Sequence, residues 1–171
     1  MVYPQLKFDL AAAKEQPFFD LCESVWSSIT DVCAQSKFGL DNEFYAYLLP
    51  EPWRIAYAVH EMAGYVLGGG FISFFDTHTK LLHHDALNGF NLIGAKKHHE
   101  IVRQALELQG DEEALRELDS LFYDYAESDP TQLLAQYIID HFDAYRNPKQ
   151  NRLTRIWRIL KLQFLKLTRQ L

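Results

Sequence analysis

The sequence predicts an all-α protein, a single compact multi-helix domain of about seven to nine helices. Apolar residues recur every three to four positions along most of the chain, while no Asn-Gly or Asp-Gly turn separates alternating apolar runs. With 171 residues, 48% of them hydrophobic and 14% aromatic, the chain can bury one sizeable core but is short for two. No run of about 18 apolar residues occurs, and the start MVYPQLKFDL lacks a signal peptide's charged and apolar segments. A soluble, cytoplasmic protein with no membrane association is therefore expected.

The elements follow in order. Phe18, Cys22, Val25, Trp26, Ile29, Val32 and Cys33 mark a first helix. Eleven residues of helix hold its two cysteines roughly 16 Å apart, too far for a disulfide, so they are expected as reduced core thiols. Pro52 suits the first turn of a helix to Leu67 with Trp53, Ala56, Val59, Ala63 and Val66 inward, ended by Gly68 to Gly70. Leu82, Ala86, Phe90 and Ile93 mark a helix from Lys80, capped by Gly94, and Ile101, Val102, Ala105 and Leu106 mark one from about Ala95. Asp111 to Ala126 carries Leu115, Leu118, Phe122 and Tyr125 on one stripe. Ser128-Asp-Pro130 caps the next helix, with Leu133, Leu134, Tyr137, Ile138, His141 and Phe142, and Asn147-Pro148 breaks it. Residues 149–171 form a basic amphipathic C-terminal helix.

The stretch GYVLGGGFISFFDTHT, from Gly64, bears on function. A phosphate-binding loop needs a lysine directly after its glycines, and none appears before Lys80. The dinucleotide fingerprint fails as well, since its glycine spacing is absent and the preceding segment is helical in period. The glycines are expected to be structural. Gly64 and Gly68 would let another element approach closely, Gly68 to Gly70 would take positive φ, and Phe71, Phe74 and Phe75 would turn one aromatic face inward.

Together with Leu49-Pro50, Arg54-Ile-Ala-Tyr-Ala-Val59, Ala86-Leu87 and Leu92-Ile-Gly-Ala-Lys96, the motif Gly69-Gly-Phe-Ile-Ser-Phe-Phe75 resembles the bacterial DNA-mimic-protein family over roughly Leu48 to Leu108. The resemblance implies an all-α fold, a homodimer, and an acidic surface that occupies the DNA-binding site of a transcription regulator. Two features depart from the family: Asp76 stands where asparagine is usual, and the C-terminal segment is basic.

Charge supports an interaction protein. Residues 1–143 carry all 23 acids and 9 bases, a balance of −14, whereas residues 144–171 carry 8 bases and no acid. Direct nucleic-acid binding is not expected of so acidic a body. The candidate partner-binding residues are Asp111, Glu112, Glu113, Glu117, Asp119, Asp124, Glu127 and Asp129, set against Arg116 alone. The expected partner is a basic DNA-binding transcription regulator. No cofactor is called for, and no catalytic or metal-binding residues are assigned.

The alternative is a metal-dependent enzyme using His78, His83, His84, His98 and His99. Neighbouring residues on a helix point about 100° apart, so one member of each histidine pair should face solvent. His60-Glu61 does not begin a zinc-protease motif, because Gly64 stands where its second histidine belongs. In the C-terminal helix, Leu153, Ile156, Trp157, Leu160, Phe164, Leu167 and Leu171 form one apolar stripe, with Arg155, Arg158, Lys161, Lys166 and Arg169 away from it. Ile159, Leu162 and Leu165 make the other side apolar too, so the helix is expected to pack on the acidic body of its own chain or of a dimer partner.

Overall fold

The computed structural model describes residues 4, 6, 9–34, 42–124, 129–146 and 152–167. These residues form ten helices and no strand: α1 (Leu10–Glu15), α2 (Phe18–Ala34), α3 (Asn42–Tyr47), α4 (Glu51–Thr77), α5 (Lys80–Leu92), α6 (Lys96–Glu107), α7 (Glu112–Phe122), α8 (Pro130–Asp140), α9 (Phe142–Arg146) and α10 (Arg152–Leu167). Three of them, α1, α3 and α9, have six residues or fewer. None of the described helices is long and apolar enough to cross a membrane. Tyr125, Glu127, Ser128 and the Asn147-Pro148 break lie outside the described residues, as do Arg169, Leu171 and the side chains of Arg155, Phe164, Leu165, Lys166 and Leu167.

Helix α4 is the axis of the fold, with α2, α5, α7 and α8 packed around it. Its inner residues Trp53, Ile55, Tyr57, Val59, Met62 and Val66 are buried, because i, i+3, i+4 spacing places them on core-facing sides. Trp53 packs against Tyr145 of α9, whose hydroxyl donates to Pro52 O at 2.7 Å. Helix α5 lies close to α4 because residue 89 is glycine: a Cβ there would sit 2.5 Å from Val59 Cγ2. The two cysteines are buried and free, as expected, and burial pushes the Cys22 thiol up to about 12. Within α2 the structure differs from the sequence pattern at Phe18, which is exposed, while Leu21 is buried in its place.

The glycine run does not end α4. Helical geometry continues through Gly68 and Gly69, and the only break is at Gly70, with φ 78° and ψ 176°, after which the helix resumes to Thr77. Gly64 and Gly68 are approached by nothing within 4 Å, so the close contact expected there is made at Gly89 instead. The aromatic face after the break is as expected: Phe71 and Phe74 are fully buried and Phe75 is partly so.

Helix α10 docks through its minor apolar side. Leu162 joins Tyr47 and Leu48 in a small second core, with Ile159, Phe44 and Leu81 around it. Arg158 donates from Nη1 to Leu49 O at 2.5 Å and to Tyr47 O at 3.4 Å, satisfying carbonyls at and just beyond the end of α3. The larger stripe faces outward, with Leu153, Ile156, Trp157 and Leu160 between 53% and 74% exposed.

Candidate partner-binding surface

Helix α7 carries Glu112, Glu113, Glu117 and Asp119 of the candidate acids, and its sequence explains its placement. Asp111 caps it by accepting from Ala114 N at 3.2 Å, and Leu115, Leu118 and Phe122 anchor it to the core. The eight acids selected from the sequence then divide by role. Asp111 and Asp129 are N-caps, the latter accepting from Thr131 N at 2.8 Å. Glu112 pairs with Arg116 at 3.2 Å, and Asp124 pairs with Lys97 at 2.9 Å. Glu127 lies outside the described residues. Glu113 and Glu117 are exposed and make no hydrogen bond or ion pair to other described residues.

Asp119 is a structural residue. Its Oδ1 accepts from the amide of Phe71 at 2.8 Å, the first residue after the break in α4. A Cβ on residue 70 would lie 2.3 Å from its Oδ2, so the missing side chain of Gly70 admits the carboxylate. The Tyr123 hydroxyl donates to Val66 O, four residues before the break, and so adds a second bond between this end of α7 and α4. The glycine run and one of the eight acids are thus parts of one joint, which helical spacing in the sequence could not reveal because the partners are 48 residues apart.

Three of the five candidate histidines, His78, His83 and His98, pack against aromatic rings. His83 is buried against Phe74 and Phe75, with ring centroids at 5.2 and 4.9 Å, while its neighbour His84 is exposed. Desolvation pushes His83 down to about 4, which keeps it neutral. His98 is fully buried between Phe90 and Phe122, and burial lowers its pKa as well. His99 Nδ1 lies 3.0 Å from Leu87 O, and His78 sits against Tyr65 and Phe74, 3.5 Å from Glu43. Burial works to raise Glu43, but hydrogen bonds from His78 and Thr79 outweigh it and hold the carboxyl below its usual value. Among the described residues, no three histidine, cysteine or acidic side chains are arranged to hold a metal ion.

The open side of Gly64, Gly68 and Gly69 forms a groove of about 450 Å³ between α2 and α4, walled by Glu23, Trp26, His60, Glu61, Tyr65 and Ser73. Its polar side chains are engaged with one another. The Trp26 indole donates to Glu61 at 2.8 Å, and His60 Nε2 lies 3.1 Å from Glu23. The sequence signal for this groove was present in the Gly64/Gly68 spacing, where it pointed to a helix contact.

A second charged cluster lies beneath α10. Arg54 pairs with Asp85 where both side chains are largely buried, and Arg54 and Arg158 lie over the Tyr47 ring, each 5.9 Å from its centroid. Burial raises Asp85 to about 6 against the opposing fields of Arg54, Arg158 and Lys161.

Comparison with known proteins adds one match. No curated protein and no solved structure matches the chain. The family model described as DMP19-like protein matches residues 47–141, from the end of α3 through the end of α8. That segment is more than half of the chain and contains the kinked α4, its Gly70–Asp119 joint and all of acidic α7; the chain belongs to the DMP19-like protein family.

Proposed function

We propose that the protein is an interaction module whose acidic α7 surface occupies the DNA-binding site of a basic transcription regulator. The observation that carries this reading is the exposed pair Glu113 and Glu117, one helical turn apart and without an ion pair to any other described residue, inside the segment that matches the family. Their β carbons stand about 5–6 Å apart on one face, which offers a regulator's lysines and arginines two adjacent anionic positions. Glu112 and Asp124 flank them, each held by one exposed or half-exposed cation that a stronger partner can replace. Asp119 is not part of this surface, because its carboxylate is engaged with Phe71. The reading needs no cofactor and no catalytic group.

The test is a gel-shift competition between the protein and operator DNA for a regulator recovered from the host. Complex formation should weaken steeply with added salt, and DNA and protein should exclude one another. Glu113→Lys with Glu117→Lys should weaken the complex, whereas Glu15→Lys with Asp31→Lys, exposed acids on α1 and α2, should change it little. Each exposed charge contributes about 0–1 kcal/mol, so the paired change is required for a clear signal. Salt-insensitive binding, or a ternary complex with DNA, overturns the proposal.

A further inference from the structure

The groove between α2 and α4 is lined by two carboxylates, Glu23 and Glu61, by the aromatic side chains Trp26 and Tyr65, and by no lysine or arginine among the described residues. It stays open because Gly64 and Gly68 project nothing into it, and nothing comes within 4 Å of where their β carbons would stand. A concavity of about 450 Å³ suits one small ligand or one long side chain. Its α2 wall lies outside the segment matched by the family, and its lining includes no residue of α7.

Glu61 carries the argument. Only 11% of its side chain is exposed, and its one hydrogen bond occupies Oε1, which accepts from the Trp26 indole at 2.8 Å. Oε2 faces His78 Nε2 at 3.9 Å, too far for a hydrogen bond. His78 is itself nine-tenths buried, and its Nδ1 donates toward Glu43 at 3.5 Å, so in the neutral ring Nε2 is an acceptor with no partner among the described residues. Two acceptors thus face one another without a donor. A carboxylate withdrawn from water calls for a cation that can also donate, and the lining of the groove supplies none. On the other wall, Glu23 turns one oxygen to His60 at 3.1 Å and keeps the second bound only to the Ser27 hydroxyl at 3.4 Å.

We propose that this groove binds a guanidinium group. Flat and weakly hydrated, such a group can lie on the aromatic surface of Trp26 and Tyr65 while its edge donates to Glu61 on one wall and Glu23 on the other. An alkylammonium concentrates its charge at one strongly hydrated point and is the poorer fit to two separate carboxylates. Free guanidines and arginine side chains carry the same group. The proposal does not rest on the regulator, which is read from a different helix.

Nitrogen-edited proton spectra of the full chain test it, with the Trp26 indole N–H as reporter. Trp26→Phe identifies that signal among the three indoles. Butylguanidine and a capped arginine peptide should shift it saturably at millimolar concentration and leave the Trp53 and Trp157 signals unmoved. Equal affinities for the two mark a free guanidine as the natural ligand, and tighter binding of the peptide marks an arginine side chain; either supports the proposal. Pentylamine, and a citrulline peptide that keeps the shape without the charge, should each bind at least about tenfold more weakly. Glu61→Gln, whose side-chain carbonyl can still accept from Trp26, should cost a similar factor. Gly68→Leu should abolish binding by filling the groove, with unchanged helical circular dichroism because the position is exposed in helix, and it decides the matter should Glu61→Gln fail to fold. The proposal is overturned if neither guanidinium probe moves the Trp26 signal, or if pentylamine or the citrulline peptide binds as tightly as its guanidinium counterpart. A folded Gly68→Leu variant that retains full affinity overturns it as well.

Discussion

At Gly70 the backbone adopts φ 78° and ψ 176°, a region open essentially to glycine alone, and a side chain would collide with Asp119. Gly70→Ala should therefore cost more than about 2 kcal/mol in urea unfolding, combining strain with displacement of the carboxylate. Its cost should be smaller in an Asp119→Ala background, where the collision is gone and only strain remains. Gly64→Ala and Gly68→Ala should do the opposite. Both sites are exposed, lie in helix and have nothing within 4 Å, so alanine should stabilise by about 0.5–1 kcal/mol. A loss of stability at Gly64 or Gly68 would mean that another element does approach them. Gly89→Ala is the third case. It should cost about 1–3 kcal/mol through collision with Val59, with partial recovery in a Val59→Ala background. Glycines alike in composition thus differ by context, and a sequence places them in a helix without showing what stands opposite.

At the scale of elements, apolar periodicity located α2, α5, α6, α7 and α8, because each has one buried stripe, and α7 and α8 also carry a side-chain cap in the local sequence. Asp111, Pro130 and Gly94 all serve at or beside helix ends. It missed α1 and α3, which are too short to show a period, and split α4 from its continuation because consecutive glycines look like a terminus. The excess of acidic residues around α7 was legible in the sequence, but the roles of the individual acids were not. Asp119 pairs across 48 residues and Lys97 reaches Asp124 across 27, so neither partner is visible locally. Helix α10 shows a related limit: its apolar pattern is two-sided, and the docked side is the one on which Arg158 bonds two backbone carbonyls distant in sequence. Arg158→Met keeps most of the stem and removes both bonds. It should loosen α10 by about 1–3 kcal/mol, seen as faster amide exchange over residues 152–167 with α2 and α4 unchanged. Unaltered exchange would assign the docking to Leu162 and Ile159 alone.

Over the whole molecule, the buried ionisable groups act against one another as pH changes. Asp85 is raised from 3.8 to about 6, so the folded state holds a proton that the unfolded chain has released. Its contribution is present below pH 3.8 and is lost as pH rises through about 6. His83 is lowered from 6.5 to about 4, so its contribution is present above pH 6.5 and is lost as pH falls through about 4. Each shift corresponds to about 3 kcal/mol, and over the shared range they oppose one another. His98 and Glu43 are also lowered and therefore act with His83. The wild type should lose stability on acidification from pH 6.5, with Asp85 moderating the slope. Asp85→Asn leaves Arg54 with only the more distant Glu51, at 4.0 Å, as counter-charge and should lower stability throughout, but its distinguishing effect is a steeper fall with acid. His83→Gln should flatten the profile. Urea midpoints measured in steps across this range check both variants; a slope unchanged by Asp85→Asn would mean that Asp85 is already ionised beneath α10, with Arg54, Arg158 and Lys161 outweighing its burial.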